Sequence, residues 1–164
     1  MNTNELNLHP LTPAEDAAIA AIIRANLEHH ALNLPGTVYF DPELDHLSRF
    51  YGTQPGKRGY FILKNERDTV LGGVGYAEFD VFPNCAELQK LYLTDAAKGH
   101  GTGQTLMEFV IDAAHQAGYR TRYLETHTNL DAAVHLYEKL GFRQINKPAC
   151  VRHSAMNRFF IQEL

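Results

Sequence analysis

Lys98 is followed by three glycines in five residues, Gly99, Gly101 and Gly103, in the order KGHGTG. Without Cβ atoms, such a segment lets backbone N–H groups approach a ligand closely. A long helical pattern begins directly after it, so those N–H groups lie where unsatisfied donors and the helix dipole favour an anion. Phosphate is the natural guest; a flexible turn is the plainer alternative. Two other phosphate-binding loops fit poorly. A Walker A loop needs Gly-Lys before a hydroxyl residue, whereas Gly103 is followed by Gln104. A dinucleotide fingerprint needs a wider third glycine spacing near the first strand of a βαβ unit, and this loop lies well past mid-chain.

Other reactive side chains carry weaker signals. Cys85 and Cys150 are too few for a disulfide framework and form no CxxC. They read as small apolar residues. Nine histidines raise the question of a metal, but His29 and His30 are adjacent and point about 100° apart on a helix. Glu125 and His127 would share a strand face with no obvious third ligand, and no HExxH is present. No metal site is expected.

The elements that must position the glycine loop are readable from periodicity. Residues 6–12 alternate as an opening strand does. Thr12, Pro13 and Glu15 have the spacing of a helix start, followed by the stripe Ile19, Ile22, Ile23 and Leu27. Leu34 to Gly36 is a loop, and Asp41-Pro42 should cap a second helix carrying Leu44, Leu47 and Phe50. Strands GYFILKN and TVLGGVGYAEF come next, then AELQKLYL over residues 86–93. Beyond the glycine loop the pattern predicts a helix from Thr102 to Ala117 stopped by Gly118, then the strand TRYLETH. A helix from Leu130 to Leu140 and two strands, Phe142 to Asn146 and Ala155 to Gln162, complete the chain. In LQKLYL, Leu88, Leu91 and Leu93 share one face only if the strand carries a bulge. The order predicts an α/β (α+β) sheet with helices on both faces.

Length and composition agree with one compact domain, here residues 3–164. A net charge of −4 argues against non-specific nucleic-acid or anionic-membrane binding. MNTNELNLHP has no basic-then-apolar leader, and no apolar run approaches the roughly 20 residues of a membrane span. The expected location is the cytoplasm.

The segment KxxGxG resembles the Q/R-x-x-G-x-G/A motif of the GNAT superfamily of acetyl-CoA-dependent N-acetyltransferases. From Glu87 to Phe142 the likeness extends through ELQKLYL, KGHGTG, TLMEFVIDAAHQAG, YLETHTN and AAVHLYEKLGF. Lys98 departs from the usual Gln or Arg, keeping the charge without the planar fork. The resemblance implies a mixed, mostly antiparallel central sheet with a splayed parallel strand pair. It implies acetyl-CoA as cosubstrate, its pyrophosphate held by Lys98, Gly99, His100, Gly101, Thr102, Gly103 and Gln104. Backbone groups of Leu91, Tyr92 and Leu93 would pair with the pantetheine arm as an added strand does, and a nearby N–H would serve as oxyanion donor.

The same resemblance implies roles for three side chains. Glu87 matches the carboxylate that acts as general base in histone-type members, and a solvated strand-end Glu is the alternative. Tyr137 matches the tyrosine that protonates the departing thiolate and lies near the cofactor; its stripe with Leu130 and Val134 also suits a core tyrosine. Asn129 matches a pantetheine-binding asparagine, and an N-cap serves equally well. The acceptor is expected to be a primary amine of a small molecule or peptide, in a pocket drawn from His29, His30, Tyr39, Phe40, Asp41, Glu43 and Asp45. Among partners, a homodimer is left open. A non-catalytic acyl-CoA sensor is the competing class, and a simple phosphate-binding module a third.

Overall fold

In the computed structural model, which describes residues 7–163, the strands form one seven-stranded sheet in the order β1-β2-β3-β4-β5-β7-β6. The strands are β1 Asn7–Pro10, β2 Gly59–Lys64, β3 Val70–Glu78, β4 Cys85–Leu93, β5 Thr121–Thr126, β6 Arg143–Ile145 and β7 Arg158–Glu163. Every neighbouring pair is antiparallel except β4 and β5, which are parallel. The helices are α1 Asp16–His29, α2 Leu47–Gly52, α3 Thr102–Gln116 and α4 Asp131–Lys139. The expected opening strand began at Leu6, which lies outside the described residues. No helix among the described residues is long and apolar enough to cross a membrane.

Among the described residues three apolar clusters pack on the sheet, two of them under the helices. Leu106, Met107 and Val110 of α3, with Val134 of α4, pack on Val74, Leu88 and Leu124 of the sheet. Ile19, Ile23 and Leu27 of α1 and Leu47 of α2 pack with Tyr51, Tyr60 and Ile62 on the opposite side. Ile22, expected in the α1 stripe, is only half-buried.

The start of α1 follows its local signal. Thr12 donates from its backbone N–H and its hydroxyl to the Glu15 carboxylate, at 3.1 and 2.5 Å. The second helix differs from expectation: it is split into a 3-10 turn, Leu44–His46, and the short α2. Its start is capped by Asp16 of α1, which accepts from the Ser48 backbone N–H and hydroxyl at 2.8 and 2.5 Å. Asp41 does not cap it, because both its oxygens face His153. A tertiary cap has replaced the local one.

The β4 bulge is present. Gly75 faces Gln89 and Gly73 faces Tyr92, so β4 holds one more residue than β3 across that step. Lys90 absorbs the distortion at φ +54. Leu88, Leu91 and Leu93 consequently all meet the α3–α4 core, while Tyr92 meets the α1–α2 core. Ahead of the bulge β4 already leaves β5: their ladder covers only Cys85–Glu87 against Thr121–Tyr123.

Candidate active site

The separation of β4 from β5 opens a cavity of about 350 Å³ between the two helical layers. Leu91, Tyr92 and Leu93 wall it along β4, with Lys98, Gly99 and Gly103 from the glycine loop and Tyr137 from α4. Glu87, Gln89, Lys90, Glu125 and His153 supply its polar walls. The sheet thus contains a channel with a glycine loop near one end and a group of ionisable side chains near the other.

Gly101 is the N-cap of α3 at φ +74, and Gly99 sits at φ +80. A Cβ built on either would meet nothing within 4 Å, so both glycines face open space and are required by backbone conformation. The buried hydroxyl of Thr102 has no hydrogen-bond partner. Lys98 donates to Asp95 at 3.1 Å, and Gln104 to Glu108 at 3.0 Å. His100, Gly101, Thr102 and Gln104 are not among the cavity's lining residues. Positive φ, open space and an orphaned hydroxyl at the start of a 15-residue helix suit an anionic group such as a pyrophosphate.

Glu87 is 2 % exposed. Its Oε1 accepts from the Gln89 amide, and the Tyr51 hydroxyl in turn donates to Gln89 at 2.7 Å. Oε2 is buried without a partner. Arg152 Nε lies 3.6 Å from Oε1. Burial pushes the carboxyl pKa up, the charge of Glu125 adds to this, and Gln89 and Arg152 oppose it; the result is about 7. The solvated strand-end alternative is therefore wrong for Glu87.

Tyr137 lines the channel from the other side. Burial raises its pKa to about 12, so the phenol keeps its proton at neutral pH. Its ring also packs in the core beside Phe142 and Phe160, so the core role and the channel role coexist.

Asn129 occupies neither expected position plainly. Leu130 is the N-cap residue of α4 and makes no side-chain cap bond. The Asn129 amide instead donates to the His30 carbonyl at 2.9 Å, and Asn129 is absent from the cavity walls.

Of the residues proposed for the acceptor pocket, His30 lines the cavity and Asp41 reaches its polar end through His153. Asp45 pairs with Arg24, Tyr39 donates to Glu28, and Phe40 is exposed. Sequence reasoning missed Gln89, Lys90, Arg152 and His153, and noticed Glu125 only as a metal ligand candidate. Glu125 accepts from the His153 backbone N–H at 2.7 Å and lies 3.2 Å from its Nδ1, while Nε2 lies 2.9 and 3.0 Å from the Asp41 oxygens. Burial works against a charged imidazole here, but the bonds to Asp41 and Glu125 outweigh it and raise the pKa to about 9.

Residues 24–142 match the acetyltransferase (GNAT) family. The chain is 34% identical to the uncharacterized N-acetyltransferase YjgM of Escherichia coli (strain K12) over 161 residues, 94% of this chain and 92% of that one. Its fold is similar to a GNAT-family acetyltransferase from Staphylococcus aureus Mu50, with a TM-score of 0.84 at 18% identity over 96% and 98% of the two chains. It is also similar to YncA from Salmonella typhimurium, solved with its cofactor acetyl-CoA, with a TM-score of 0.75 at 18% identity over 98% and 94%. The seven-stranded sheet parting at its parallel pair, the glycine loop at the start of α3 and these likenesses agree: the chain belongs to the GNAT family and is an acetyltransferase.

Proposed function

We propose that this protein, acting as one domain over residues 3–164, transfers the acetyl group of acetyl-CoA directly to a primary amine within a ternary complex. The observation that carries the reading is the channel itself. It brings a buried carboxylate oxygen without a hydrogen-bond partner, on Glu87, and the phenol of Tyr137 to one space.

Acetyl-CoA, when bound, would supply a thioester carbonyl carbon to which the C–N bond forms before the C–S bond breaks. The glycine loop fits its pyrophosphate, and the β4 edge from Leu91 to Leu93, freed from β5, suits the pantetheine amides. Asn129 keeps its amide oxygen available for the same arm. An alkylammonium, with a pKa of about 10.4, must lose a proton before its nitrogen can attack. Glu87 accepts that proton, directly or through water, because burial has raised its basicity. A backbone N–H of β4 donates to the tetrahedral oxyanion. Tyr137 gives its proton to the departing thiolate and regains one from solvent. The balance is one amide, one free thiol and one proton released.

An amine-panel assay that reads thiol release from acetyl-CoA tests this. Amine-dependent release is expected. Tight acetyl-CoA binding with no release for any amine would overturn it.

A further inference from the structure

The polar end of the channel holds more charge than deprotonating an amine requires, and most of it is already engaged. Glu125 accepts from the His153 backbone N–H at 2.7 Å and from the Tyr123 hydroxyl at 2.9 Å, with the imidazole also beside it. Asp41 is held by the other imidazole nitrogen at 2.9 Å. Two charged groups on the walls have hydrogen-bonding capacity left over among the described residues. One is Glu87 Oε2. The other is the Lys90 ammonium, which makes no side-chain hydrogen bond among the described residues.

Lys90 Nζ lies 3.9 Å from its nearest carboxylate oxygen, on Asp41, beyond hydrogen-bond reach. The rings of Phe50 and Tyr51 lie below it at 5.7 and 5.9 Å to their centroids. Aromatic faces support a cation but accept none of its three N–H donors conventionally. Its side chain is 3 % exposed. Burial lowers its pKa, and Asp41, Glu87 and Glu43 act in the opposite direction.

The backbone brings Lys90 there at a cost. A φ of +54 is unfavourable for a residue with a Cβ. Strict alternation would turn Lys90 toward the α3–α4 core; the bulge puts it with Gln89 on the Phe50–Tyr51 side instead. A buried ammonium whose nearest carboxylate is the long 3.9 Å contact to Asp41, on a strained residue three positions from the unpartnered Glu87 oxygen, makes with it a pair of complementary anchors.

We infer that the acceptor is a small zwitterion, an α-amino acid or close amino carboxylate, whose amine meets Glu87 and whose carboxylate is held by Lys90. The assignment rests on the acetyl-transfer reading of the same channel. A polyamine would need a second free carboxylate, and Glu125 and Asp41 are both engaged with His153. A peptide N-terminus would set a neutral amide against Lys90 and leave the ammonium only its long contact with Asp41.

The test measures kcat/KM with acetyl-CoA for L-amino acids, their amides and a diamine. Amides have the less basic amine, so intrinsic reactivity at neutral pH favours them. Wild-type protein should nevertheless prefer the amino acids by at least about tenfold, because a site built for a charged hydrogen bond rejects the analogue lacking it. Lys90→Met should bring the amino-acid-to-amide ratio close to one, mainly through a raised KM for the amino acid. Its acetyl-CoA affinity, read by calorimetry, reports that the variant is folded. Wild-type turnover of amides or the diamine equal to that of amino acids would overturn the zwitterion assignment while leaving acetyl transfer standing. A parallel loss on amino acids and amides in Lys90→Met would overturn it as well. No amine-dependent thiol release with any member of the panel would overturn acetyl transfer, and this assignment with it. Should Lys90→Met not fold, the wild-type ratios alone decide.

Discussion

Glu87 and Tyr137 meet the channel from opposite sides of the sheet, and burial acts on both in the same direction with opposite chemical use. A raised carboxyl pKa, about 7, makes Glu87 a stronger base near neutrality. A raised phenol pKa, about 12, keeps Tyr137 protonated and able to donate. Glu87→Gln should lower kcat and remove the acidic limb of the rate profile near pH 7, with acetyl-CoA affinity nearly unchanged. A wild-type profile in that variant would make Glu87 a structural residue. Tyr137→Phe keeps the ring that packs with Phe142 and Phe160 and deletes one oxygen. Its kcat should fall by roughly 10²–10⁴-fold with cofactor affinity retained, the range general-acid assistance contributes, if chemistry limits turnover. Full turnover with a lowered melting temperature would leave the residue only its core role.

Two segments outside the regular strands control the channel ends. At the glycine loop, Gly101→Val places a branched side chain at φ +74 in the open space proposed for the pyrophosphate. Acetyl-CoA affinity should drop at least about tenfold, or about 1.4 kcal/mol. Unchanged calorimetric affinity in a folded variant would remove the loop from cofactor binding. At the other end, His153 ties its loop to β5 through Glu125 and to the 3-10 turn region through Asp41. Its pKa is raised in the folded state to about 9 from 6.5. The stabilisation is therefore complete below pH 6.5 and fades as pH rises through 9. His153→Gln should lose stability relative to wild type by an amount on the order of 3 kcal/mol below pH 6.5, the gap closing toward pH 10. Denaturant unfolding across that range measures it, and a gap independent of pH would refute the charge pairing.

At the scale of the molecule, helices on both faces hold a sheet that is continuous except at one place. On the α1–α2 side, the Tyr60 ring of β2 lies across Gly73 and Gly75 of the neighbouring β3. A Cβ on Gly73 would collide with the Tyr60 ring and lie 2.8 Å from the Phe61 carbonyl oxygen. Gly73→Ala should therefore destabilise by about 1–3 kcal/mol, the usual cost of overpacking. For a domain of this size that means a melting temperature lower by about 2–4 °C per kcal/mol. An unaltered melting temperature would show that Tyr60 yields without cost. The same ring's hydroxyl donates to the Lys90 carbonyl at 2.8 Å, so this packing also supports the bulge.

What the sequence determined alone is local: the glycine loop before α3, the helix start at Thr12 and Glu15, the order of elements, and a bulge demanded by Leu88, Leu91 and Leu93. Each depends on backbone hydrogen bonding or apolar period within a few residues, where spacing and geometry are nearly the same thing. The glycine motif also identified the family, since its neighbours in sequence are its neighbours in space. The polar end of the channel was not legible. His153 and Asp41 are 112 positions apart, and Tyr51 and Gln89 are 38 apart. Lys90 reads as an ordinary strand lysine until the bulge turns it inward. Asp41 looked like a helix cap, and Asp16 took that place from another helix. Tertiary structure decided these because a charge's partner depends on which faces the sheet and its loops bring together. No spacing along the chain encodes that.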